Sequence, residues 1–267
     1  MQPVIKWTGS KRTQSKQIVS LMPKNYNVYY EPFIGGGSVL YEVSREHGNH
    51  AICSDICEPL IDLWRTVKYE PMMLYESYKY NWEHFKNNEN YYYEVRDDFN
   101  KTKDALAFLF LTRTCINGKI RFNKQGNFNS PVHHKRNGIN PKTMKKIILD
   151  WSDKIKNTSF IRCDYKNILE YVKSDDFVYL DPPYFHTVGI YYGSINYDEF
   201  IDFLRELNKL NVKYILSYDG IRGTDDKRVD LPSDIYKQHK LLLSGDSTFS
   251  KMKGEKKTVY ESIYMNY

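Results

Sequence analysis

Apolar residues recur along this 267-residue chain in two rhythms, and the change of rhythm divides it. In the first part, short apolar runs that end in turn residues alternate with stretches of helical spacing. Residues 28–33 form a β-rich run that meets Gly35-Gly36-Gly37. Ser38 is placed to cap a helix through Val39, Leu40 and Val43 that stops near Gly48. Residues 50–54 predict a second strand ending at Asp55, followed by a helix with Pro59 in its first turn and Leu60, Ile61, Leu63, Trp64 and Val67 on one side. Between 71 and about 151 the texture changes: aromatic and charged residues crowd 75–99, the apolar run 105–111 predicts a buried helix, and an Asn-rich loop with weak strand signals follows. The first rhythm then resumes, with strands at 159–163, 177–180 and 212–217 and helices at 168–172 and over Phe200, Leu204 and Leu207. Two late strands, 241–243 and 259–265, read as a hairpin closed by a turn carrying Lys251, Lys253, Lys256 and Lys257. The pattern is that of an α/β sheet domain interrupted by an inserted, mainly helical module.

Charge follows the same division. The whole chain has 39 Lys+Arg against 33 Asp+Glu, a mild +6 that names no partner. Between 105 and 149, however, lie nine basic residues and no carboxylate, which leaves 30 basic against 33 acidic in the remainder. The same segment carries Asn117, Asn123, Asn129, His133 and His134, side chains able to reach base edges as well as phosphates. A solvated surface that lacks carboxylates is the bland alternative. With 41% hydrophobic residues the chain has material for a substantial core, and no apolar run approaches the ~20 residues that cross a bilayer. A soluble, cytoplasmic protein is therefore expected. Cys53, Cys57, Cys115 and Cys163 fit neither a zinc framework nor a disulfide scaffold, so reduced structural thiols and no metal are expected.

Three short motifs carry chemistry. Asp181-Pro182-Pro183-Tyr184 directly follows an apolar strand. Paired prolines neither continue a sheet ladder nor enter a helix, so the chain must leave the strand end as a rigid extended turn. There the Asp181 carboxylate and the Pro182 carbonyl offer two acceptors and Tyr184 a flat face, a set suited to a planar group with an exocyclic amine. Alone the tetrapeptide is equally a proline-rich turn with a capping aspartate; its place after a buried strand favours the ligand. The second motif, residues 31–38, puts glycines after the first strand but lacks the third glycine of a dinucleotide fingerprint, and Gly9-Ser10-Lys11 does not complete a P-loop. A ligand without pyrophosphate is preferred, with Asp55 placed for ribose hydroxyls. Each of these pieces is also ordinary structural punctuation. The third motif, residues 6–12, sets Trp7 beside a Gly-Ser turn and cations, a stacking face with a charge for a carboxylate, or else a surface Trp among solubilising lysines.

Taken in order, Trp7-Thr8-Gly9-Ser10-Lys11, residues 31–38, Asp55, Asp164-Tyr165 and Asp181-Pro182-Pro183-Tyr184 resemble the Dam-like α group, or D12 class, of adenine-N6 DNA methyltransferases, over nearly the whole chain. The resemblance implies a Rossmann-like sheet over 1–56 and 160–267 and a helical target-recognition domain over 57–159. It also implies S-adenosyl-L-methionine as cofactor, held by Trp7, Lys11, Glu31, Phe33, Gly35, Gly37, Asp55, Asp164 and Tyr165. The catalytic set would be Asp181, Pro182, Pro183 and Tyr184, around an adenine flipped out of the duplex. The stretch 113–129 resembles the family's recognition segment, so that Arg113, Asn117, Lys119, Arg121, Asn123, Asn129, Pro131, His133, His134 and Arg136 would meet DNA. The partners implied are double-stranded DNA and, acting separately, a cognate restriction endonuclease, with no membrane and no metal. Cytosine N4 or RNA shares the exocyclic-amine geometry of the tetrapeptide, and a non-catalytic DNA-binding module is the third reading. Many Dam-like enzymes continue the recognition segment as Pro-Phe-Gly, whereas Pro131 is followed here by Val132-His133-His134, and Ile116 stands where an aromatic is frequent. Both GATC and an asymmetric GGATG-type site are compatible with these departures.

Overall fold

The most apolar of the expected strands, Phe177–Leu180 (β4), runs through the interior of the sheet with all four residues buried. The computed structural model describes residues 1–46, 48, 50–86, 88–135, 137–183, 195–246 and 258–267. The other strands are β1 (Tyr29–Glu31), β2 (Ala51–Asp55), β3 (Thr158–Arg162), β5 (Lys213–Arg222), β6 (Asp225–Asp226), β7 (Gln238–Asp246) and β8 (Thr258–Met265). They assemble in the order β3-β2-β1-β4-β5-β8-β7, with the short β6 beside β5. The strands from β3 to β5 are parallel and β8 and β7 antiparallel. Strand order reverses between β1 and β4, which opens a crevice at their carboxyl ends, where open α/β sheets bind ligands.

Both faces of the central strands are covered, as their continuous apolar runs require. Alternate residues point to opposite sides. Tyr29, Phe177, Tyr179 and Ile215 join one core, and Tyr30, Val178, Leu180, Tyr214 and Leu216 the other. The second core is closed by α8 (Tyr197–Lys209), whose Phe200, Leu204 and Leu207 face the strands. The first is continuous with the remaining helices: α1 (Ser15–Leu21), α2 (Ser38–Glu46), α3 (Glu58–Tyr69), α4 (Pro71–Phe85), α5 (Glu89–Thr102), α6 (Ala105–Thr114) and α7 (Pro141–Lys154). The inserted span therefore shares a core with the sheet. Trp64 of α3 packs on Trp151 of α7 at 4.9 Å between ring centroids and stacks on Phe160 of β3 at 5.9 Å.

The helix expected at 105–111 is α6, buried along almost its whole length because α3, α4 and α5 pack around it. Asp104 caps it by accepting the amides of Leu106 and Ala107. Three expectations need correction. The helix expected at 168–172 is a 3-10 run, Tyr165–Glu170, started by Asp164 as its cap. Ser38 is the first residue of α2 rather than its cap, and its hydroxyl lies 2.7 Å from that of Ser10. The last hairpin strand runs Gln238–Asp246, far longer than 241–243, and the Lys-rich turn at Lys251, Lys253, Lys256 and Lys257 lies outside the described residues.

After α6 the chain makes an irregular hairpin, pinned by isolated antiparallel bridges at Cys115–Val132 and Phe122–Phe128. Helix α5 holds it from behind. Asn100 accepts the Phe128 amide at 2.7 Å and donates to the Phe128 carbonyl at 3.0 Å, and Lys103 donates to the Gly126 carbonyl. Tyr92, fully buried, donates to the Ser130 carbonyl at 2.8 Å. Tyr92→Phe should leave that carbonyl without its donor and lower stability by about 1–3 kcal/mol, read from the shift in a denaturant midpoint. An unchanged midpoint would show that the hairpin does not depend on this bond.

Candidate active site

The crevice between β1 and β4 is built from three pieces of backbone. Chain leaving β1 passes Glu31 and folds into the turn Gly35-Gly36-Gly37; β2 ends at Asp55; and β4 delivers Asp181 and the two prolines. Gly35 and Gly37 have positive φ values of 44° and 66°. A Cβ on Gly35 would lie 2.8 Å from the Trp7 ring, and one on Gly37 would lie 3.0 Å from the Trp64 ring. Glycine is thus required twice over, by conformation and by close approach. The resulting cleft, about 1000 Å³ out to its mouth, gathers Trp7, Lys11, Glu31, Phe33, Gly35, Gly37, Asp55, Asp164 and Tyr165 together with Asp181, Pro182 and Pro183. Tyr184 lies outside the described residues.

Each polar group in the cleft has a definite environment. Asp55 accepts the Cys57 amide at 3.0 Å, and burial holds its carboxyl up at about 6 in spite of backbone donors from Cys57, Gly35 and Ile56. Asp164 accepts the Lys166 amide at 3.0 Å. Phe33 and Tyr165 meet at 5.3 Å between centroids and form an apolar wall. Glu31, 3% exposed, accepts a hydrogen bond from the Tyr29 hydroxyl at 2.8 Å. Burial lifts its carboxyl to about 8, the nearby Asp181 adding to the rise, so it is largely protonated at neutral pH.

Lys11, expected to offer its charge to a ligand carboxylate, also has a partner within the chain: Nζ sits 2.6 Å from Asp181 Oδ1, with the lysine 3% and the aspartate 20% exposed. The pairing is geometrical: Ser10 is tied to α2, and Lys11 Nζ also donates to the Gly9 carbonyl. Burial raises the Asp181 carboxyl to about 6 against the lowering pull of Lys11.

The hairpin beyond α6 sorts the second group of expected residues. Along 119–123 exposure alternates, so Lys119, Arg121 and Asn123 face outward while Ile120 is buried and Phe122 is half-buried. Asn117, Asn129, Pro131 and His134 are exposed too, and Asn129 donates its amide to the Arg121 carbonyl at 3.0 Å. Asn123 is at once a turn residue, its Oδ1 accepting the amides of Gln125 and Asn127. His133 is half-buried and accepts the Lys135 amide, and His134 lies 3.1 Å from Glu89. Arg113 is a correction: only 5% exposed, it points inward and donates to the carbonyls of Val4 and Pro3. It ties the N-terminal segment to α6. Arg136 lies outside the described residues.

Sequence reasoning missed Glu261 on β8, whose Oε2 lies 3.4 Å from Lys11 Nζ, and Asn100, the clamp on the hairpin. Neither stands in a recognisable motif. The signal for Asn100 was a side-chain amide in the last turn of α5, a position that asks for a partner.

A mostly parallel sheet with a cleft at its switch point and a close-packed glycine turn beneath it defines a Rossmann-like α/β fold. Over residues 7–255 the sequence matches the family of D12 class N6 adenine-specific DNA methyltransferases. The chain belongs to that family, and its activity is methylation of adenine N6 in DNA. It is 31% identical to the Type II methyltransferase M.MjaIII of Methanocaldococcus jannaschii, over 100% of this chain and 99% of that one. It is 30% identical to the Type II methyltransferase M1.LlaDCHI of Lactococcus lactis, over 69% of this chain and 66% of that one. The DNA adenine methylase of Vibrio cholerae is also 30% identical, over 67% of this chain and 64% of its own. Among the described residues no helix is long and apolar enough to cross a membrane.

The state of Glu31 has a measurable consequence. Folding raises its carboxyl from 4.5 to about 8, so the folded chain holds a proton that the unfolded chain releases. That contribution to stability is fully present below 4.5 and is lost as pH rises to about 8. In denaturant titrations across this window, Glu31→Gln should decline less steeply than wild type. Parallel curves would mean that Glu31 is ionised throughout.

Proposed function

We propose that the cleft binds S-adenosyl-L-methionine and that the hairpin from Asn117 to His134 presents double-stranded DNA to it. Support for the cofactor comes from the donor set. The glycine turn approaches under Trp7 without the fingerprint a pyrophosphate needs, Asp55 and Asp164 supply carboxylates at strand ends, and Phe33 with Tyr165 supplies an apolar wall. Bound there, S-adenosyl-L-methionine supplies a methyl group on a positively charged sulfur, ready for direct transfer.

The chain's own residues do the rest. Adenine N6 is a poor nucleophile because its lone pair is delocalised into the ring. Asp181, with Oδ1 held by Lys11, keeps Oδ2 for one N6 proton, and the Pro182 carbonyl accepts the other. These two bonds draw the nitrogen towards tetrahedral geometry and aim its lone pair into the cleft. As the new N–C bond forms, Asp181 is placed to take the proton that N6 sheds. Reaching these acceptors requires the base to leave the duplex, at a cost of a few kcal/mol of unstacking. Tyr184 follows directly in the chain and would stack the flipped base.

In this reading residues 57–159 form the recognition domain, with Asn117, Lys119, Arg121, Asn129 and Pro131 as its outward face. Two of the relatives are named Type II methyltransferases, and we read this chain likewise as the modifying partner of a restriction endonuclease that acts separately. The observation that carries the proposal is the meeting of Asp181, the glycine turn and Asp55 in one cleft.

Transfer of labelled methyl to duplex DNA, with the labelled base identified afterwards, tests the reading. Label in adenine N6 is expected; label in cytosine or only in RNA would select the competing substrates, and DNA binding without transfer would make the chain a binding module. Asp181→Ala should reduce transfer on the order of 10²-fold or more while leaving cofactor binding largely intact; turnover near wild type would sink its role. Arg121→Ala should relax specificity at one base pair by about 1–3 kcal/mol. A uniform loss of affinity across sequences would instead mark Arg121 as a phosphate contact.

A further inference from the structure

Glu261 forms a charged group with Lys11 and Asp181 that the reaction as described leaves unexplained. Its Oε2 is closed to solvent and receives no hydrogen bond from the described residues, among which the neighbouring cation is Lys11 Nζ at 3.4 Å. A buried carboxylate oxygen without a donor is costly to keep, so its position needs a reason. Its placement is also built into the backbone. The register between β5 and β8 shifts between Tyr218 and Ile221, and opposite this irregularity a Cβ on Gly220 would lie 2.1 Å from the Tyr260 carbonyl oxygen and 2.8 Å from the Glu261 Cα. Glycine alone lets the strands close there, and bulges of this kind re-aim side chains beside active sites.

The charges give the reason. Lys11 lies 2.6 Å from Asp181 and cancels its charge, while Glu31 behind it is held by Tyr29 and largely protonated at neutral pH. Without Glu261 the group facing the reacting centre would be neutral as a whole. With it, one negative charge remains. We infer that Glu261 is a positioning residue that restores the charge Lys11 takes from Asp181, so that the cleft prefers a cationic ligand to its neutral counterpart. The inference rests on the cleft being the S-adenosyl-L-methionine site. The methyl donor carries a sulfonium, its demethylated product S-adenosylhomocysteine a neutral thioether, and the positive charge passes to N6 during transfer. A net negative group close by favours the first and the last over the second.

Calorimetric titration of the intact protein with each of the two ligands tests this without recourse to turnover. Glu261→Gln, which keeps the shape, should weaken S-adenosyl-L-methionine about tenfold and leave S-adenosylhomocysteine within about twofold. Lys11→Gln should move the ratio of the two affinities the opposite way, because it leaves two carboxylates uncompensated. Equal weakening of both ligands by Glu261→Gln, or an unchanged ratio in either variant, would overturn the role of Glu261 and reduce it to packing. Wild type binding neither ligand, or Asp55→Ala leaving both affinities unchanged, would overturn the reading of the cleft itself, and with it the inference.

Discussion

The rest of the structure depends on how closely indole rings pack around one backbone turn. Trp7 from the N-terminal segment, Trp64 from α3 and Trp151 from α7 converge on Gly35-Gly36-Gly37, and Trp64 donates its ring N–H to the Gly35 carbonyl at 3.0 Å. No residue with a Cβ fits at Gly35 or Gly37 while the rings stay where they are. The turn therefore takes one shape only. It lines the cleft and is the point where sheet, inserted helices and N-terminal segment are pressed together, so cleft geometry and core packing are one constraint.

From that junction the N-terminal segment carries the constraint in two directions. On the catalytic side, Ser10 meets Ser38 and Lys11 reaches Asp181. On the side of the hairpin, Arg113 holds the carbonyls of Val4 and Pro3, and the Lys6 methylenes lie so close to Gly118 that a Cβ there would sit 2.5 Å from one of them. One short stretch of chain thus touches the outgoing end of α6, the glycine turn and the acceptor carboxylate. A displacement of the hairpin cannot leave the cleft untouched, because the connecting stretch is bonded at both ends.

What the sequence made legible follows from what local pattern encodes. The apolar run of β4 could only be a buried strand, and it is. The glycines after β1 and the buried α6 were equally local, set by periodicity and steric need. Arg113 was misplaced because a charge count treats every cation as solvated, whereas this one is buried and donates to two carbonyls about a hundred residues away. The partner of Lys11 within the chain was invisible because it is set by sheet order, which brings residue 181 beside residue 11. Glu261 was invisible because its direction is decided by a register shift between strands, and no property of 258–265 announces that.

The uneven distribution of charge acquires a mechanical meaning once the cleft and the hairpin are seen together. Asp55, Asp164, Asp181 and Glu261 place carboxylates in or beside the cleft, with Lys11 the cation among the described residues lining it, while Lys119 and Arg121 stand outward on the hairpin. On the proposed reading, a phosphate backbone would be drawn to the hairpin rather than to the cleft, and DNA binding would be salt-sensitive. A neutral base would meet no repulsion there and would find acceptors inside.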